Sequence, residues 1–282
     1  TGIGYTEMAA VLGTGEIWLR VPETIRIEIN GELPANVMSK DVILRIIGDL
    51  TAAGATYRAL EFTGDTVEAM SLSSRMTMAN MGIEAGAKCA LFAPDEKTAE
   101  YLGIELTEAE RALAGDADAP CEKVLRYRAE DFVPVMALPS NVDHVAAIRD
   151  LEPVAIDQVF LGSCTNGRLE DLMAAAEILK GKHIAPFVKL IVTPASRKIW
   201  EEAEANGTLA TLSAAGAMIT HPSCGLCCGR TGGILSDGER VVATNNRNFL
   251  GRMGSSKVEI YLASPKSAAA SALTGRLTEA AC

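Results

Sequence analysis

Residues 221–230 read His-Pro-Ser-Cys-Gly-Leu-Cys-Cys-Gly-Arg. This stretch places the thiols of Cys224, Cys227 and Cys228 within five residues, and its glycines allow tight turns and a close approach of the backbone to a ligand. A Cys-x-x-Cys pair alone is compatible with half of a zinc site, a redox dithiol or two ligands of an iron–sulfur cluster. The choice depends on which thiols and loops elsewhere in the chain can complete the site.

Length and composition indicate a large α/β protein of one or two domains. The chain has 282 residues, of which 48% are hydrophobic and only 5% aromatic, so it can bury a sizeable core of closely packed helices and strands. Its net charge of −10 argues against nucleic acid as the main ligand. We find no apolar run long enough to span a bilayer and no visible secretory signal.

The cysteines indicate a reducing compartment, which we expect to be the cytoplasm. An odd count, uneven spacing and a large mixed chain argue against a disulfide framework, so clustered thiols are better candidates for metal ligands. The seven cysteines are Cys89, Cys121, Cys164, Cys224, Cys227, Cys228 and Cys282.

The first residues read Thr-Gly-Ile-Gly-Tyr-Thr-Glu, without an initiator methionine. They have the character of a loop that runs into a helix. We therefore expect this sequence to be part of a longer protein whose beginning is missing here.

Hydrophobic patterning predicts a repeated order of strands and helices. In residues 24–29 every second residue is an isoleucine, which places the isoleucines on one face of a half-buried strand. The apolar residues of 42–50 follow a helical pattern. We expect one α/β domain over residues 1–118, a linker rich in turn-forming residues over 119–138, and a second α/β domain over 139–282.

Three predicted strands of the second domain end in loops that carry the candidate chemistry. In open α/β sheets, ligands collect beyond the carboxyl ends of the strands, so we expect these loops to converge. The strands at 159–161, 218–220 and 241–243 lead into loops at 162–167, 221–230 and 244–252.

The thiols of Cys164, Cys224 and Cys227 do not complete a structural zinc site, which requires four protein ligands. They suit a cubane iron–sulfur cluster in which one iron lacks a protein ligand and acts as a Lewis acid toward a substrate hydroxyl and carboxylate. Cys228 is an alternative fourth ligand, although adjacent cysteines seldom both point at one metal.

Arg247 and Arg252 share one loop with several asparagines. Guanidinium groups bind carboxylates through two parallel hydrogen bonds, so the pair is a candidate clamp for a small di- or tricarboxylate. The alternative is a pair of surface arginines bonded to nearby acids. Arg168 and Arg230 lie beside candidate cluster cysteines and would add local positive charge.

The three loops together resemble the signature loops of the aconitase superfamily. The matching stretches are Gly-Ser-Cys-Thr-Asn at 162–166, Cys-Gly-Leu-Cys at 224–227 and Asn-Arg-Asn-Phe-Leu-Gly-Arg at 246–252. The chain is similar over nearly its whole length to the large subunits of the isopropylmalate dehydratase, homoaconitase and methylmalate-type hydro-lyases. The resemblance implies three-layer α/β/α domains with parallel or mixed sheets and cluster loops at the carboxyl ends of strands.

The resemblance also implies roles for individual residues. Cys164, Cys224 and Cys227 would hold a [4Fe–4S] cluster whose fourth iron binds substrate. The side chains of Asn166 and Asn246 would contact the cluster or position the substrate. Arg247 and Arg252 would bind substrate carboxylates. Glu61, in Leu-Glu-Phe-Thr-Gly at 60–64, matches the family's active-site glutamate; the alternative is a structural carboxylate within a strand.

The implied reaction moves a hydroxyl between adjacent carbons of a hydroxy di- or tricarboxylate by dehydration and rehydration. We expect conversion of 2-isopropylmalate to 3-isopropylmalate in leucine biosynthesis, with homoaconitate, citramalate or 2,3-dimethylmalate as alternative substrates. A more distant alternative is an iron- or redox-responsive RNA-binding protein, which the net charge of −10 disfavours. A zinc-bound structural module is a further alternative.

Some features of the family are absent from this sequence. Its upstream Asp–His pair and Asp-Ser-His-Thr loop have no counterpart here, and in two-subunit members the catalytic serine lies on a separate, small swivelling subunit. We therefore expect activity to require an N-terminal segment and a small subunit. The family usually has proline at the position of Leu226 and an aliphatic residue at the position of Cys228. In this sequence Cys228 therefore places an oxidisable thiol beside the expected cluster.

Overall fold

Two β-sheets form the framework of the protein in a computed structural model, which describes residues 3–116 and 118–281. The first sheet has four parallel strands in the order β3-β2-β1-β4. Its strands are β1 (Thr24–Asn30), β2 (Ala59–Thr63), β3 (Cys89–Phe92) and β4 (Lys123–Arg128).

The second sheet has seven strands in the order β6-β5-β11-β10-β7-β8-β9. It is mixed, because β5 pairs antiparallel with both β6 and β11 while the other pairs are parallel. Its strands are β5 (Val135–Ala137), β6 (Val145–Ala147), β7 (Gln158–Gly162), β8 (Lys189–Thr193), β9 (Met218–Ile219), β10 (Arg240–Ala243) and β11 (Glu259–Leu262).

The helices follow most strands in the order that the hydrophobic patterning predicts. A short 3-10 turn at Gly82–Ala85 follows the end of α4, and another at Gly225–Cys228 forms part of the cysteine loop. The α-helices are α1 (Tyr5–Thr14), α2 (Ser39–Leu50), α3 (Asp65–Ala69), α4 (Leu72–Met81), α5 (Glu96–Leu102), α6 (Glu108–Arg111), α7 (Ser163–Asn166), α8 (Leu169–Leu179), α9 (Arg197–Ala205), α10 (Thr208–Ala214) and α11 (Pro265–Thr274).

A shared hydrophobic core lies between the two sheets. The isoleucines of β1 enter it together with one face of α2 and with alternate residues of the second sheet, such as Phe160 and Val241. The other residues of β7, Val159 and Leu161, point to a second core formed with α8, α10 and α11. The second sheet is therefore covered by helices on both faces, as parallel sheets require, and the predicted α/β architecture is confirmed.

The first sheet is covered differently on its two faces. Its strand residues alternate between the shared core and an outer face that carries polar side chains, among them Arg26 and Glu61. This alternation follows from the period of two in a β-strand. It decides which of the candidate residues can reach the cysteine loops.

The predicted linker, residues 119–138, contains two strands instead of a tether. β4 pairs with β1 in the first sheet, because Leu125 and Tyr127 pack against the shared core, and β5 joins the second sheet. The chain crosses between the sheets within residues 129–134. The two predicted domains are thus packed against each other through one core.

The helices within residues 3–116 and 118–281 are all too short or too polar to cross a lipid bilayer.

Candidate active site

The three candidate loops leave the same edge of the second sheet. Because β7, β9 and β10 run parallel, their carboxyl ends lie at one side. Hydrogen bonds join the strand ends: the Gly162 amide donates to Thr244 Oγ1 over 2.9 Å, and the hydroxyl oxygens of Thr193, at the end of β8, and Thr220, after β9, lie 2.6 Å apart. The expected convergence of the loops is present in the structure.

A sharp turn after β7 places Cys164 at this edge. Gly162 has φ of 145° and a Cβ there would lie 2.1 Å from the Thr193 carbonyl oxygen, so the position requires glycine. Ser163 follows with φ of 69°, an uncommon conformation for a residue with a side chain. The chain then enters α7, which presents Cys164 toward solvent while Thr165 and Asn166 are buried.

The two cysteine-bearing loops leave the same edge of the second sheet, because β7 and β9 both run parallel to β8. Partial burial raises the pKa of Cys224, and negative charge on Cys227, Cys228 or Cys164 raises it further. Cys227 is buried, whereas Cys164 and Cys224 are exposed. In the described ranges, the protein has no group of three or more His, Cys, Asp or Glu side chains already arranged to hold a metal ion.

A closed set of hydrogen bonds joins the Cys164 loop to the arginine-bearing loop and to α4. Asn80 Nδ2 lies 3.5 Å from Cys164 Sγ and donates to Thr165 Oγ1 over 3.3 Å. Asn246 Nδ2 donates to Asn80 Oδ1 over 2.9 Å, and the Thr165 hydroxyl donates to Asn246 Oδ1. Asn246 therefore lies beside the turn that carries Cys164, and its role toward a cluster or substrate stays a prediction. Its partner Asn80, at the end of α4, was not among the predicted site residues.

Asn166 lies deeper and supports the turn. Its Nδ2 donates to Asp171 Oδ1 over 3.1 Å and to Thr77 Oγ1 over 3.4 Å, which ties α7 to α8 and α4. Burial raises the pKa of Asp171 to about 7, while the hydrogen bond from Asn166 opposes this rise. Asn166 Oδ1 is buried and has no hydrogen-bond partner among the described residues.

The two predicted arginines have different partners at the site. Arg247 Nε lies 2.9 Å from Glu84 Oε1, in a pair where the Glu84 side chain is only 10% exposed. Burial raises the pKa of Glu84, and the nearby Arg247 charge counteracts this rise. Arg252 Nη2 lies 3.5 Å from Cys227 Sγ, and its buried Nε has no hydrogen-bond partner among the described residues.

The structure does not bring Glu61 to these loops. Its neighbours Leu60 and Phe62 point into the shared core that contains Cys227, so strand alternation directs Glu61 to the outer face. There its Oε2 lies 2.8 Å from Arg26 Nε. The carboxylate that the structure places at the site is instead Glu84, in the 3-10 turn that follows α4.

Asn80 and Glu84 could have been found from the sequence. They are four residues apart, which places them about one turn apart where α4 continues into the 3-10 turn at Gly82–Ala85. The signal was the spacing of two polar side chains on an otherwise apolar helix end.

The chain belongs to the aconitase family. The model of that family, described as aconitate hydratase, matches residues 1–275. Enzymes of this family use a [4Fe–4S] cluster. The predicted resemblance and the predicted class of hydro-lyase are confirmed at this level.

The most similar relatives found are named as large subunits of one hydro-lyase. The chain is 50% identical over 279 residues to "3-isopropylmalate dehydratase large subunit 1" of Methanopyrus kandleri, covering 99% of this chain and 67% of that protein. It is 46% identical over 280 residues to "3-isopropylmalate dehydratase large subunit 2" of Archaeoglobus fulgidus, with the same coverage of 99% and 67%. The chain thus spans about two thirds of the length of these relatives.

Among solved structures, the holo-form of Thermococcus kodakaraensis aconitase X aligns at 14% identity with a TM-score of 0.45, covering 84% of this chain and 53% of that chain.

The donor set at the site suits the family's cofactor. Thiolates are the usual ligands of iron–sulfur clusters, and the candidate cysteines lie on loops that leave the same edge of the second sheet. Four buried polar atoms on the same loops have no hydrogen-bond partner within residues 3–116 and 118–281: Ser163 Oγ, Asn166 Oδ1, Asn245 Oδ1 and Arg252 Nε. Buried polar atoms normally have partners, so these atoms indicate a polar group that belongs at the site.

Proposed function

We propose that this chain is the cluster-bearing large subunit of a hydro-lyase that interconverts 2-isopropylmalate and 3-isopropylmalate in leucine biosynthesis. The observation that carries this proposal is that the loops bearing the three cysteines and two arginines leave one edge of the second sheet, where Arg252 contacts Cys227 and Arg247 pairs with the largely buried Glu84. The names of the relatives support the choice of substrate.

Cys164, Cys224 and Cys227 would hold the [4Fe–4S] cluster. When bound, the cluster supplies a Lewis-acidic iron for the hydroxyl and a carboxylate of the substrate. Asn80 Nδ2 lies 3.5 Å from Cys164 Sγ, so its amide can donate a hydrogen bond to the sulfur. Asn246 keeps Asn80 oriented through its own hydrogen bond.

The arginines would bind the carboxylates of the substrate. Arg252 is suited to this because its Nε has no partner among the described side chains and its guanidinium lies beside Cys227. Arg247 is 43% exposed and paired on one side with Glu84, so its outer nitrogens remain accessible to a ligand. Two guanidinium groups fix both the position and the orientation of a dicarboxylate.

Glu84 is our candidate for proton transfer. Because burial raises the pKa of Glu84, its carboxyl group can hold or release a proton closer to neutral pH than an exposed glutamate can. Its hydrogen bond to Arg247 fixes one carboxylate oxygen next to the expected carboxylate of the substrate. This arrangement supports removal or delivery of a proton at a carbon adjacent to that carboxylate.

We further propose a separate small subunit as partner, since the relatives are named large subunits, and a cytoplasmic location, since the cysteines indicate a reducing compartment. The net charge of −10 continues to weigh against an RNA-binding role. Homoaconitate, citramalate and 2,3-dimethylmalate remain alternative substrates of the same site.

The test is anaerobic reconstitution with iron and sulfide, followed by absorption and EPR spectroscopy. We expect a cubane signature in the wild-type protein and in Cys121→Ser, whose cysteine lies on the outer side of the first sheet beside Glu61. Cys164→Ser should lose that signature. Equal zinc binding by the wild type and Cys164→Ser, with no cluster in either, would show that the three-loop site is not the cofactor site.

The whole protein, including the N-terminal segment that activity is expected to require, would then be reconstituted, combined with candidate small subunits and offered isopropylmalate, homoaconitate, citramalate and 2,3-dimethylmalate separately. Isomerisation of isopropylmalate above the other substrates is the expected result. A preference for homoaconitate, citramalate or dimethylmalate would keep the reaction class and change the substrate.

A further inference from the structure

Lys40 is a buried lysine with no place in the chemistry described above. It lies in the first turn of α2, and its side chain is completely excluded from solvent. Lysine is seldom fully buried, because its charge loses hydration there. A cation in the first turn is also unfavourable toward the positive end of the helix dipole. Neither burial nor the helix dipole therefore accounts for a lysine at this position, and the explanation lies in the contacts of its side chain.

The contacts of Lys40 lead to the arginine-bearing loop. Its Nζ donates to the Thr244 carbonyl oxygen over 2.9 Å and to the Asn245 carbonyl oxygen over 2.7 Å. These carbonyls directly follow β10, at the point where the strand turns into the loop. The next two residues are Asn246 and Arg247, which reach Asn80 and Glu84 at the site.

Neighbouring bonds show that this turn is held from several sides. Thr244 Oγ1 accepts the Gly162 amide of the Cys164 turn, and Asn245 Nδ2 donates to the Arg247 carbonyl oxygen over 3.1 Å. The adjacent Asp41 accepts the Val135 amide of β5 over 3.1 Å. Lys40 and Asp41 therefore attach one helix turn to two strands of the second sheet, and Lys40 alone reaches the carbonyls at the start of the loop.

We propose that Lys40 is a positioning residue of the site, which holds the Thr244 and Asn245 carbonyls so that Asn246 and Arg247 face the substrate. The consequence for substrate binding rests on the function proposed above, whereas the attachment of the loop does not. Lys40 does not touch the reacting groups itself.

The attachment does not depend on the charge of Lys40. Burial lowers the pKa of Lys40 to about 7, against the raising effect of the nearby Cys227, Asp171, Glu84 and Asp41 charges. Both the ammonium and the neutral amine carry at least two N–H donors. The two hydrogen bonds to the carbonyls can therefore form in either protonation state.

The first test is hydrogen exchange of the protein without cofactor, comparing wild type with Lys40→Met. Methionine has a similar length but no donor, so we expect amides in residues 244–252 to exchange about tenfold faster or more, in line with the loss of about 1.4 kcal/mol or more of local stability. Lys97→Met is the matched control, because Lys97 Nζ also donates to backbone carbonyls, those of Glu68, Ala69 and Met70, away from this loop. Unchanged exchange over 244–252 in Lys40→Met overturns the proposal.

If Lys40→Met does not fold by circular dichroism, Lys40→Gln takes its place. Glutamine keeps one amide donor group on a shorter side chain that cannot span both carbonyls, so residues 244–252 should exchange faster than in the wild type. Protection equal to the wild type in folded Lys40→Gln overturns the proposal as well.

The second test measures ligand affinity after cluster reconstitution, from the perturbation of the EPR spectrum by 2-isopropylmalate. Lys40→Met should keep its iron content and bind the probe about tenfold to a hundredfold more weakly, because misplaced binding groups lose affinity steeply. Lys97→Met should match the wild type. Equal affinity in Lys40→Met contradicts the positioning role.

The two tests separate the two proposals. Faster exchange in Lys40→Met, with no cluster in any variant, supports the attachment by Lys40 and counts against the proposed function. A normal cluster with unchanged exchange supports the proposed function and rejects the role of Lys40.

Discussion

Two carboxylate–arginine pairs of nearly equal length occupy very different places in this protein. The Arg26–Glu61 pair, 2.8 Å long, lies on the outer face of the first sheet. The Arg247–Glu84 pair, 2.9 Å long, lies beside the cysteine loops, where the end of α4 meets the loop after β10.

The difference is one of origin. Arg26 and Glu61 are directly opposite each other on adjacent strands, so their pairing follows from strand register and resembles an ordinary cross-strand ion pair. Glu84 and Arg247 are 163 residues apart and meet only because the two sheets pack against each other. A match to a short motif favoured Glu61, but tertiary structure places the other glutamate at the site.

The largest effect that separates the two pairs is expected in catalysis. Glu84→Gln should lower kcat by about 10²- to 10⁴-fold in the enzyme assembled with its small subunit, because the amide cannot transfer the proton. Glu61→Gln is the matched control and should stay near wild type, since its ion pair lies on the other face of the sheet. Steady-state isomerisation of 2-isopropylmalate, at equal iron content, measures both.

The opposite result would support the role that the sequence motif predicted for Glu61. If Glu61→Gln lost activity by two orders of magnitude or more and Glu84→Gln did not, the proton-transfer group would be Glu61 after a rearrangement of the first sheet.

The parts of this site that the sequence predicts are those encoded over short distances. The Gly-Ser-Cys-Thr-Asn and Cys-Gly-Leu-Cys stretches follow β7 and β9, and parallel strands bring their ends to one edge; the loops therefore converge as expected. Family membership, which the match over residues 1–275 confirms, follows from the same stretches. The role of the three cysteines as ligands stays a prediction until a cluster is observed.

The parts that escaped prediction depend on tertiary contacts. Glu61 sits in a strand of five residues whose two faces cannot be assigned to a site without knowing what packs on each. Asn80 meets Cys164 and Asn246 only in the fold. The strands within the predicted linker also depend on tertiary contacts: the turn-forming residues precede β4, whose inward Leu125 and Tyr127 are separated by the charged Arg126.

A smaller effect, on KM, is expected when the arginine of each pair is replaced by lysine, which keeps the charge and changes the geometry. Arg247→Lys loses the planar fork, and with it about 1.5–3 kcal/mol for a hydrogen bond to a charged partner, so KM should rise about tenfold to a hundredfold. Arg26→Lys should leave KM unchanged because its pair does not face the site.

Titration of both variants with 2-isopropylmalate at saturating small subunit measures this difference. An unchanged KM in Arg247→Lys would mean that Arg247 serves only to hold Glu84, leaving Arg252 as the carboxylate-binding residue.

The smallest effect is expected in the pH dependence of the free energy of unfolding, measured without cofactor. This measurement tests the Glu84–Arg247 pair. Burial raises the pKa of Glu84 above its ordinary value of 4.5, so between that value and the folded-state pKa the folded protein binds more protons than the unfolded chain. The free energy of unfolding must therefore fall as pH rises through this window. Glu84→Gln removes the titrating group and should make the fall shallower.

Arg247→Met should act in the opposite direction. Without the charge that lowers it, the pKa of Glu84 rises further, so the fall in stability extends to higher pH. Asp41 and Asp171, whose pKa values burial also raises, are present in every variant, and below about pH 6 Lys40, whose pKa burial lowers to about 7, stays mostly protonated. Urea unfolding from about pH 4 to 6 should then give the double variant the slope of Glu84→Gln. If the double variant instead kept the slope of Arg247→Met, the pH dependence would arise from another group, and the contrast between the two pairs would rest on catalysis alone.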